Sequence, residues 1–277
     1  MKYLNLLRVK HYIKNLIIFA PIFFNGSLFI GNNIYKMIIS YICFSLITSV
    51  VYIINDIHDK DSDSKHFRKR NRPIASNQVS IKCGYLICFL LLLISSLLAI
   101  LSKIPCNSLV IMYSYLIINI LYTYLLKNIP YVEILVIILN FIIRIIYGAS
   151  IFNIRISLLL YITVICLSLY LILGKRRNEI IKNGISARKV LKYYDNQVFN
   201  ILIIVSLILT IVSYLVWTIL TNYLLILSIP IVIFALIRYN RNIFKNIYDD
   251  PTEIITSDYL IIVLSIIWIL INSLMLY

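Results

Sequence analysis

Long apolar runs separated by short clusters of charge dominate this chain. Most of the runs approach or exceed the roughly 20 residues that a helix needs to cross the hydrocarbon core of a bilayer. They are apolar on all sides and rich in Ile and Leu, which favours membrane helices over the alternating strands of a transmembrane barrel. Nine helices are predicted, over residues 16–31, 34–55, 80–102, 106–126, 130–152, 156–174, 197–219, 221–239 and 255–277.

The pattern differs in residues 2–14, where basic and apolar side chains are interleaved. Lys2, Arg8, Lys10 and Lys14 stand among leucines, tyrosines and other apolar residues. This pattern is typical of an amphipathic segment at a membrane surface. Beyond it, no internal repeat, Pro/Gly-rich linker or shift in composition divides the chain, so a single domain over residues 1–277 is predicted.

Composition agrees with the hydropathy pattern. Of the 277 residues, 61% are hydrophobic and 13% are charged, against about 45–50% apolar and about 25% charged in soluble domains. A soluble or disordered chain is therefore excluded, and an all-α integral membrane protein is expected. The five cysteines lie in apolar stretches without CxxC spacing, which argues against zinc and redox sites.

The formal net charge of +15 would suggest nucleic acid as the partner of a soluble protein. In a membrane protein, Lys and Arg instead report orientation, because they concentrate in cytosolic loops. Most of the basic and acidic residues here lie at the N-terminus or in alternate connections on one side of the nine-helix arrangement. We therefore expect a multi-pass protein of the plasma (inner) membrane, with a cytosolic N-terminus, an outer C-terminus, an active site facing the cytosol and no nucleic-acid partner.

The main candidate site follows the second predicted helix, where residues 55–63 read NDIHDKDSD. At 100° per residue, Asp56, Asp59 and Asp63 fall within roughly 60° of one another if the helix continues, whereas Asp61 points away. Carboxylates this close repel unless a cation lies between them, and Mg²⁺ is typically bound by one or two carboxylates and substrate phosphates. The motif predicts a Mg²⁺–diphosphate site, with Asn55 orienting it. A solvated charged loop is the alternative.

Basic residues follow this motif directly, in the stretch KHFRKRNRPIAS at 65–76. Within it, Lys69 and Arg72 are candidates to bind phosphate oxygens or to position the loop. The competing interpretation is electrostatic anchoring of this loop to anionic lipids, which are expected partners of such a surface.

Two further features carry charge into otherwise apolar surroundings. Arg144 lies within the fifth predicted helix, where an ionised side chain is costly and therefore a functional candidate, although structural pairing would also explain it. The stretch 173–179 reads LGKRRNE, and its Lys175 and Arg176 are candidates for phosphate binding, with Glu179 a candidate to position the loop at the substrate site. A surface ladder of ion pairs is the alternative for this stretch. The remaining candidates are individually weaker: Lys14, Asn15, Tyr122 and Lys127.

NDxxDxxxD followed by KxxRPIAS resembles the UbiA superfamily of intramembrane prenyltransferases. The resemblance implies about nine helices in a bundle around a cavity that opens to the cytosol and the membrane. Within the superfamily the chain is most similar to the polyprenyl-phosphate (decaprenyl-type) phosphoribosyltransferases. That likeness rests on LRVKHYIKN at 7–15, LGKRRNE at 173–179, Arg238-Tyr239, Asp250-Pro251 and Asp258, and so extends over nearly the whole chain.

The resemblance implies a Mg²⁺-dependent transfer of 5-phosphoribose from 5-phosphoribosyl 1-diphosphate (PRPP) to a polyprenyl phosphate lipid. Asp56 and Asp59 would be catalytic, Asp56, Asp59 and Asp63 would bind the metal, and the other candidates would bind substrates. Prenyl-diphosphate users of the superfamily generally carry a second Asp-rich motif where this chain has Lys175-Arg176-Arg177-Asn178-Glu179. The open alternatives are a prenyltransferase acting on a prenyl diphosphate and an aromatic or other acceptor, and a lipid or phosphate transporter. The oligomeric state is not predicted.

Overall fold

The computed structural model describes residues 2–65, 69–183, 189–245 and 251–277, and the regular structure in these ranges is helical. The α-helices are α1 (Lys2–Leu7), α2 (Ala20–Phe24), α3 (Asn33–His58), α4 (Lys60–Ser64), α5 (Ile81–Leu101), α6 (Cys106–Tyr124), α7 (Val132–Ser150), α8 (Leu158–Asn183), α9 (Asn196–Thr221), α10 (Ile229–Phe244), α11 (Pro251–Ser257) and α12 (Tyr259–Leu276). Short 3-10 helices occupy Val9–Phe19, Lys69–Asn71, Leu126–Asn128, Lys189–Tyr193 and Tyr223–Ser228.

Eight helical segments among the described residues are long and apolar enough to cross a membrane. They are Asn33–His58, Ile81–Leu101, Cys106–Tyr124, Val132–Ser150, Leu158–Lys182, Gln197–Thr221, Tyr223–Phe244 and Tyr259–Leu276. These segments match eight of the nine predicted helices, so the prediction of an all-α integral membrane protein is confirmed. The count of nine is not confirmed.

The first predicted helix, over 16–31, is where the count differs. The structure places a 3-10 helix over Val9–Phe19, then the five-residue helix α2, and the chain leaves helical geometry near Gly26, whose φ is 68°. A 3-10 helix rises about 2.0 Å per residue and an α-helix about 1.5 Å. Laid end to end, the two segments are roughly 30 Å long, close to the thickness of the hydrocarbon core. A ninth crossing here stays a prediction.

Two predicted boundaries differ for physical reasons that involve charge. The helix predicted over 156–174 continues as α8 to Asn183, because Lys and Arg have good helix propensity once the helix leaves the apolar layer. The helix predicted over 255–277 is divided by Asp258. The Asp258 carboxylate accepts a hydrogen bond of 3.1 Å from the Leu260 backbone N–H, which caps and starts α12.

The described helices form two compact units. The single domain predicted over residues 1–277 concerns how these units assemble, so it stays a prediction. The first unit comprises residues 1–22, 27–127 and 143–154. Within it, α3 is the central helix and packs against α1, α5, α6 and the 3-10 helix Val9–Phe19. Its core includes Leu6, Val50, Ile53 and Ile74, which lie close to the acidic end of α3.

The second unit comprises residues 23–26, 128–142 and 155–277. Its largest helix contact is between α8 and α9, and α10 packs against α12. The core between these helices is built from Ile, Leu and Tyr side chains, among them Tyr170 and Leu173. A separate aromatic group lies where α9 and the 3-10 helix Tyr223–Ser228 meet α12, and it includes Tyr214 and Trp217.

Candidate metal and phosphate site

Asp56 is the most buried carboxylate of the acidic motif. It lies in the last turn of α3 and is 2% exposed. Its Oδ1 accepts hydrogen bonds from Arg8 and, at 3.1 Å, from Arg72. Its Oδ2 is buried and receives no hydrogen bond from the residues that the structure describes. A buried carboxylate oxygen without a partner is costly, so this atom marks a position where a ligand or cation would be stabilising.

Asp63 shares a guanidinium with Asp56. The Arg72 Nη1 donates to Asp63 Oδ2 at 2.5 Å as well as to Asp56, and Lys69 Nζ lies 4.0 Å from Asp63 Oδ1. Burial lowers the pKa of Arg72 from its ordinary value, and the positive charge of Arg8 lowers it further, against the opposing effect of the two carboxylates. The two carboxylates thus offset part of the cost of burying the guanidinium, and the three side chains form one ionic group.

Asp59 is turned toward different partners. The chain leaves α3 after His58 and enters α4 at Lys60, with Asp59 between them at φ −91° and ψ 7°. Its Oδ1 accepts from Lys127, and His58 Nδ1 lies 3.0 Å away. Burial opposes ionisation of Asp59, but the hydrogen bonds and charges of Lys127 and His58 outweigh it and lower its pKa. Asp59 is therefore an ionised carboxylate paired with Lys127.

These carboxylates fit a magnesium ion only together with a phosphorylated ligand. Among the described residues, no three His, Cys, Asp or Glu side chains converge on one point as a complete metal-binding group. Two carboxylates, Asp56 and Asp63, meet at Arg72, and Asp56 Oδ2 is open to a further partner. Mg²⁺ is commonly bound in this way, by one or two carboxylates with substrate phosphates and water completing its six ligands.

Arg144 and Asn15, predicted separately, are brought into contact. Arg144 is 4% exposed, and its Nε donates to Asn15 Oδ1 at 2.8 Å, while its Nη2 donates to the Tyr115 hydroxyl at 3.0 Å. The Asn15 amide nitrogen donates to Ser45 and Thr48 on α3, at 3.0 and 3.2 Å. The network therefore fixes a buried cation against the 3-10 helix Val9–Phe19, α3 and α6.

Arg176 and Glu179, in the second unit, form a buried group with two residues that the sequence did not single out. Arg176 is 1% exposed and donates at 2.5 Å to Glu179 and at 2.5 Å to Glu133, which is fully buried. Tyr194 donates to the other Glu133 oxygen at 3.2 Å. Burial, followed by the Glu133 carboxylate among other influences, raises the pKa of Tyr194 to about 12, so it stays protonated as a donor.

The model of the UbiA prenyltransferase family matches residues 22–253, most of the chain. The chain belongs to the UbiA family. A solved UbiA homolog from Archaeoglobus fulgidus, bound to GPP and Mg²⁺, superposes with a TM-score of 0.75 at 16% identity, covering 100% of this chain and 99% of that one. The fold is thus that of a UbiA protein, and the chain is an enzyme of the UbiA transferase family.

Two relatives in sequence were also found. The decaprenyl-phosphate phosphoribosyltransferase of Mycolicibacterium smegmatis is 27% identical over 283 residues, which cover 95% of this chain and 88% of that protein. An uncharacterized protein, y4nM, of Sinorhizobium fredii is 36% identical over 90 residues, but these are 32% of this chain and 17% of that protein. Similarity to the first of these two relatives therefore extends over nearly the full length of this chain.

The other predicted residues of this UbiA chain are less buried than Asp56 and Arg144. Lys14, Asn55 and Tyr122 are partly exposed in the first unit, and Lys175 is partly exposed in the second. Their substrate roles stay predictions, as do those of Arg176 and Glu179. The residues His66, Phe67 and Arg68 of the basic stretch lie outside the described residues.

Arg8, Glu133 and Tyr194 belong to these groups but are not among the candidates predicted from the sequence. Arg8 was counted only as part of a basic N-terminal segment, although it contacts Asp56 48 residues away. Glu133 lies near the start of the apolar helix predicted over 130–152. An acidic residue in such a run is rare enough to have flagged it, since buried charges in membrane helices are normally paired. For Arg8 the available signal was its place in the UbiA-like stretch 7–15.

The contact between Asn15 and Arg144 predicts energetic coupling in this UbiA protein. In a double-mutant cycle of Asn15→Ala and Arg144→Ala, we expect the two losses in unfolding free energy to be non-additive by about 0.5–2 kcal/mol. The measurement is unfolding by SDS titration in detergent micelles. Arg144→Ala is also expected to weaken substrate binding, and strictly additive effects together with unchanged kinetics would contradict both expectations.

Proposed function

We propose that this protein transfers 5-phosphoribose from PRPP to a polyprenyl phosphate and releases diphosphate. The observation that carries the proposal is the pairing of Asp56 and Asp63 with Arg8 and Arg72 at the end of an apolar helix. Carboxylates for a divalent cation and guanidinium groups for phosphate oxygens are the two components that a diphosphate leaving group requires. The full-length similarity to a decaprenyl-phosphate phosphoribosyltransferase supports PRPP as the donor.

In the proposed reaction, the bond between ribose C1 and the diphosphate oxygen breaks, and an oxygen of the lipid phosphate bonds to C1. The electron pair leaves with diphosphate, and the ribose passes through an oxocarbenium-like state, as in other glycosyl transfers. The attacking phosphate is already ionised, so no residue needs to act as a general base. The chain's task is therefore to hold the two phosphorylated substrates in line and to stabilise the charge of the departing diphosphate.

Residues of the Asp motif would hold the metal. Asp56 and Asp63 are the ligands that the geometry favours, and Asp59 is the third proposed ligand, with Lys127 as its present partner. When bound, Mg²⁺ would supply Lewis-acid stabilisation of the negative charge on the leaving group. Arg72 and Lys69 lie beside these carboxylates, where they would bind phosphate oxygens or position the loop.

We further propose that this site faces the cytosol of a plasma-membrane protein, with the N-terminus on the same side and the C-terminus outside. The support is the distribution of Lys and Arg along the sequence, because cytosolic connections of membrane proteins are enriched in basic residues. PRPP, a water-soluble donor, would then reach the site directly, while the polyprenyl tail would lie among the apolar helices.

A prenyl-diphosphate donor is the second candidate. It is favoured by the solved UbiA homolog, whose structure contains GPP and Mg²⁺, and it would use the same carboxylates. Against it stands the stretch 173–179, which is basic where such enzymes generally carry a second Asp-rich motif. The two candidate functions therefore differ in the donor substrate, which is PRPP in the first and a prenyl diphosphate in the second.

The deciding experiment incubates purified protein with polyprenyl monophosphate, Mg²⁺ and PRPP, with and without EDTA, and detects lipid products by mass spectrometry. We expect phosphoribosylated lipid that disappears when EDTA removes the metal. A parallel sample replaces PRPP with a prenyl diphosphate and an aromatic acceptor. Product only in the parallel sample would overturn the proposal in favour of prenyl transfer. Transport of lipid phosphate across liposomes with neither product would instead support a transporter.

A further inference from the structure

The four side chains around Asp56 carry formal charges that cancel. Arg8 and Arg72 are positive, and Asp56 and Asp63 are negative. We call these four residues the Asp56 cluster. Asp56 is 2% exposed and Asp63 is 4% exposed, so solvent screens their charges weakly. A divalent cation that entered the Asp56 cluster alone would add two charges beside two guanidinium groups, and repulsion would oppose its binding.

Arg8 is held in this cluster by the fold of the N-terminal segment. Its backbone adopts the left-handed conformation, with φ 51° and ψ 46°, between α1 and the 3-10 helix that follows. A non-glycine residue in this region needs a compensating interaction. The Arg8 guanidinium lies 4.8 Å from the centroid of the Tyr52 ring and contacts Asp56. Its position is thus set by α3, which contributes both partners.

The segment carrying Arg8 is itself fastened to α3. Leu6 is fully buried in the core that includes Val50 and Ile53 of that helix. The Ser49 hydroxyl donates to the Leu7 carbonyl at 2.8 Å, one residue before Arg8. The fold therefore holds Arg8 in the site, whereas the nearby Lys2 and Lys10 are exposed.

We propose that Arg8 makes metal binding at Asp56 depend on the phosphates of the substrate. The proposal rests on the proposed function and deepens it. In the absence of phosphate, Arg8 neutralises Asp56 Oδ1 and disfavours a cation at Oδ2. A diphosphate group that arrives with the cation gives the Arg8 guanidinium a new anionic partner and releases Oδ1. Cation and diphosphate then raise each other's affinity by the same factor, as linkage requires.

The test measures binding of Mn²⁺, a stand-in for Mg²⁺, to detergent-solubilised protein that is retained on a membrane filter. Each variant is titrated without and with inorganic diphosphate at one fixed concentration, so complexation in solution is the same for all. Wild-type protein should bind Mn²⁺ alone weakly and at least about tenfold more tightly with diphosphate. Arg8→Gln should bind Mn²⁺ alone about tenfold more tightly than wild type, and diphosphate should then improve its affinity little.

Lys10→Gln is the matched control, because it removes the same charge two residues away from an exposed position. It should bind Mn²⁺ like wild type in both conditions. If Arg8→Gln does not yield monodisperse protein, Arg72→Gln removes the other guanidinium on Asp56 Oδ1 and should likewise tighten binding of Mn²⁺ alone.

The outcomes separate this inference from the proposed function. Arg8→Gln and Arg72→Gln with wild-type affinity and wild-type dependence on diphosphate would overturn the role of Arg8, while the metal site would stand. Asp56→Asn that binds Mn²⁺ as tightly as wild type in both conditions would instead overturn the metal site itself, and with it the proposed function.

Discussion

Replacing Asp56 by Asn should reduce product formation by at least about a thousandfold while leaving the protein folded. The substitution keeps the size of the side chain and removes the charge that would hold the metal, and Lewis-acid stabilisation of a leaving group is worth several kcal/mol. It also leaves Arg8 and Arg72 facing an uncharged amide, with Asp63 as the remaining carboxylate of the Asp56 cluster. The measurement is the initial rate of lipid product formation at saturating Mg²⁺.

Asp61→Asn is the matched control for this prediction. Asp61 belongs to the same acidic motif and loses the same charge, but it is exposed. Its rate should stay within about twofold of wild type, since exposed charges contribute little. Both variants should remain monodisperse in detergent. An Asp56→Asn protein that retained a tenth of the wild-type rate would contradict the assignment of Asp56.

The acidic motif shows how far spacing alone predicts this site. Helical spacing placed Asp56, Asp59 and Asp63 on one face, but this required α3 to continue through Asp59. The structure ends α3 at His58 and begins α4 at Lys60, so Asp59 turns to Lys127 while Asp56 and Asp63 meet at Arg72. Local spacing specifies which residues are near one another, whereas distant partners such as Lys127 depend on how the helices pack.

The membrane helices were predictable for a different reason. A helix that crosses a bilayer must satisfy its backbone hydrogen bonds internally over about 20 apolar residues, and such runs are visible in the sequence. The segment that departed from the prediction, residues 16–31, is short of such a run because Pro21, Gly26 and Gly31 interrupt it. Pairings between helices, including Asn15 with Arg144 and Glu133 with Arg176, carry no comparable signal in a single sequence.

Gly148→Ala should destabilise the protein by about 3 kcal/mol or more, which corresponds to a fall in Tm of about 10 °C. A Cβ on Gly148 of α7 would lie 2.0 Å from the carbonyl oxygen of Ile18. That neighbour is backbone and cannot rotate away, so α7 and the 3-10 helix Val9–Phe19 must separate. Tm is measured as loss of monodisperse protein after heating in detergent.

Gly84→Ala provides the comparison for this prediction. Gly84 is also helical, but the nearest atom to its Cβ would be the flexible Ile57 Cδ1 at 3.1 Å. Its Tm should change by only a few degrees, because Ala also favours the helix. Equal losses of Tm in the two variants would show that the close approach at Gly148 is not the cause.

The consequence of Gly148→Ala should extend to the site. Gly148 lies one turn after Arg144 on α7, and Ile18 lies one 3-10 turn after Asn15, so the close approach of the two backbones sets the 2.8 Å hydrogen bond between Arg144 and Asn15. Separating the helices lengthens this bond. We therefore expect Gly148→Ala to abolish the energetic coupling between Asn15 and Arg144, whereas Gly84→Ala should preserve it. Intact coupling in Gly148→Ala protein would show that the two contacts are independent.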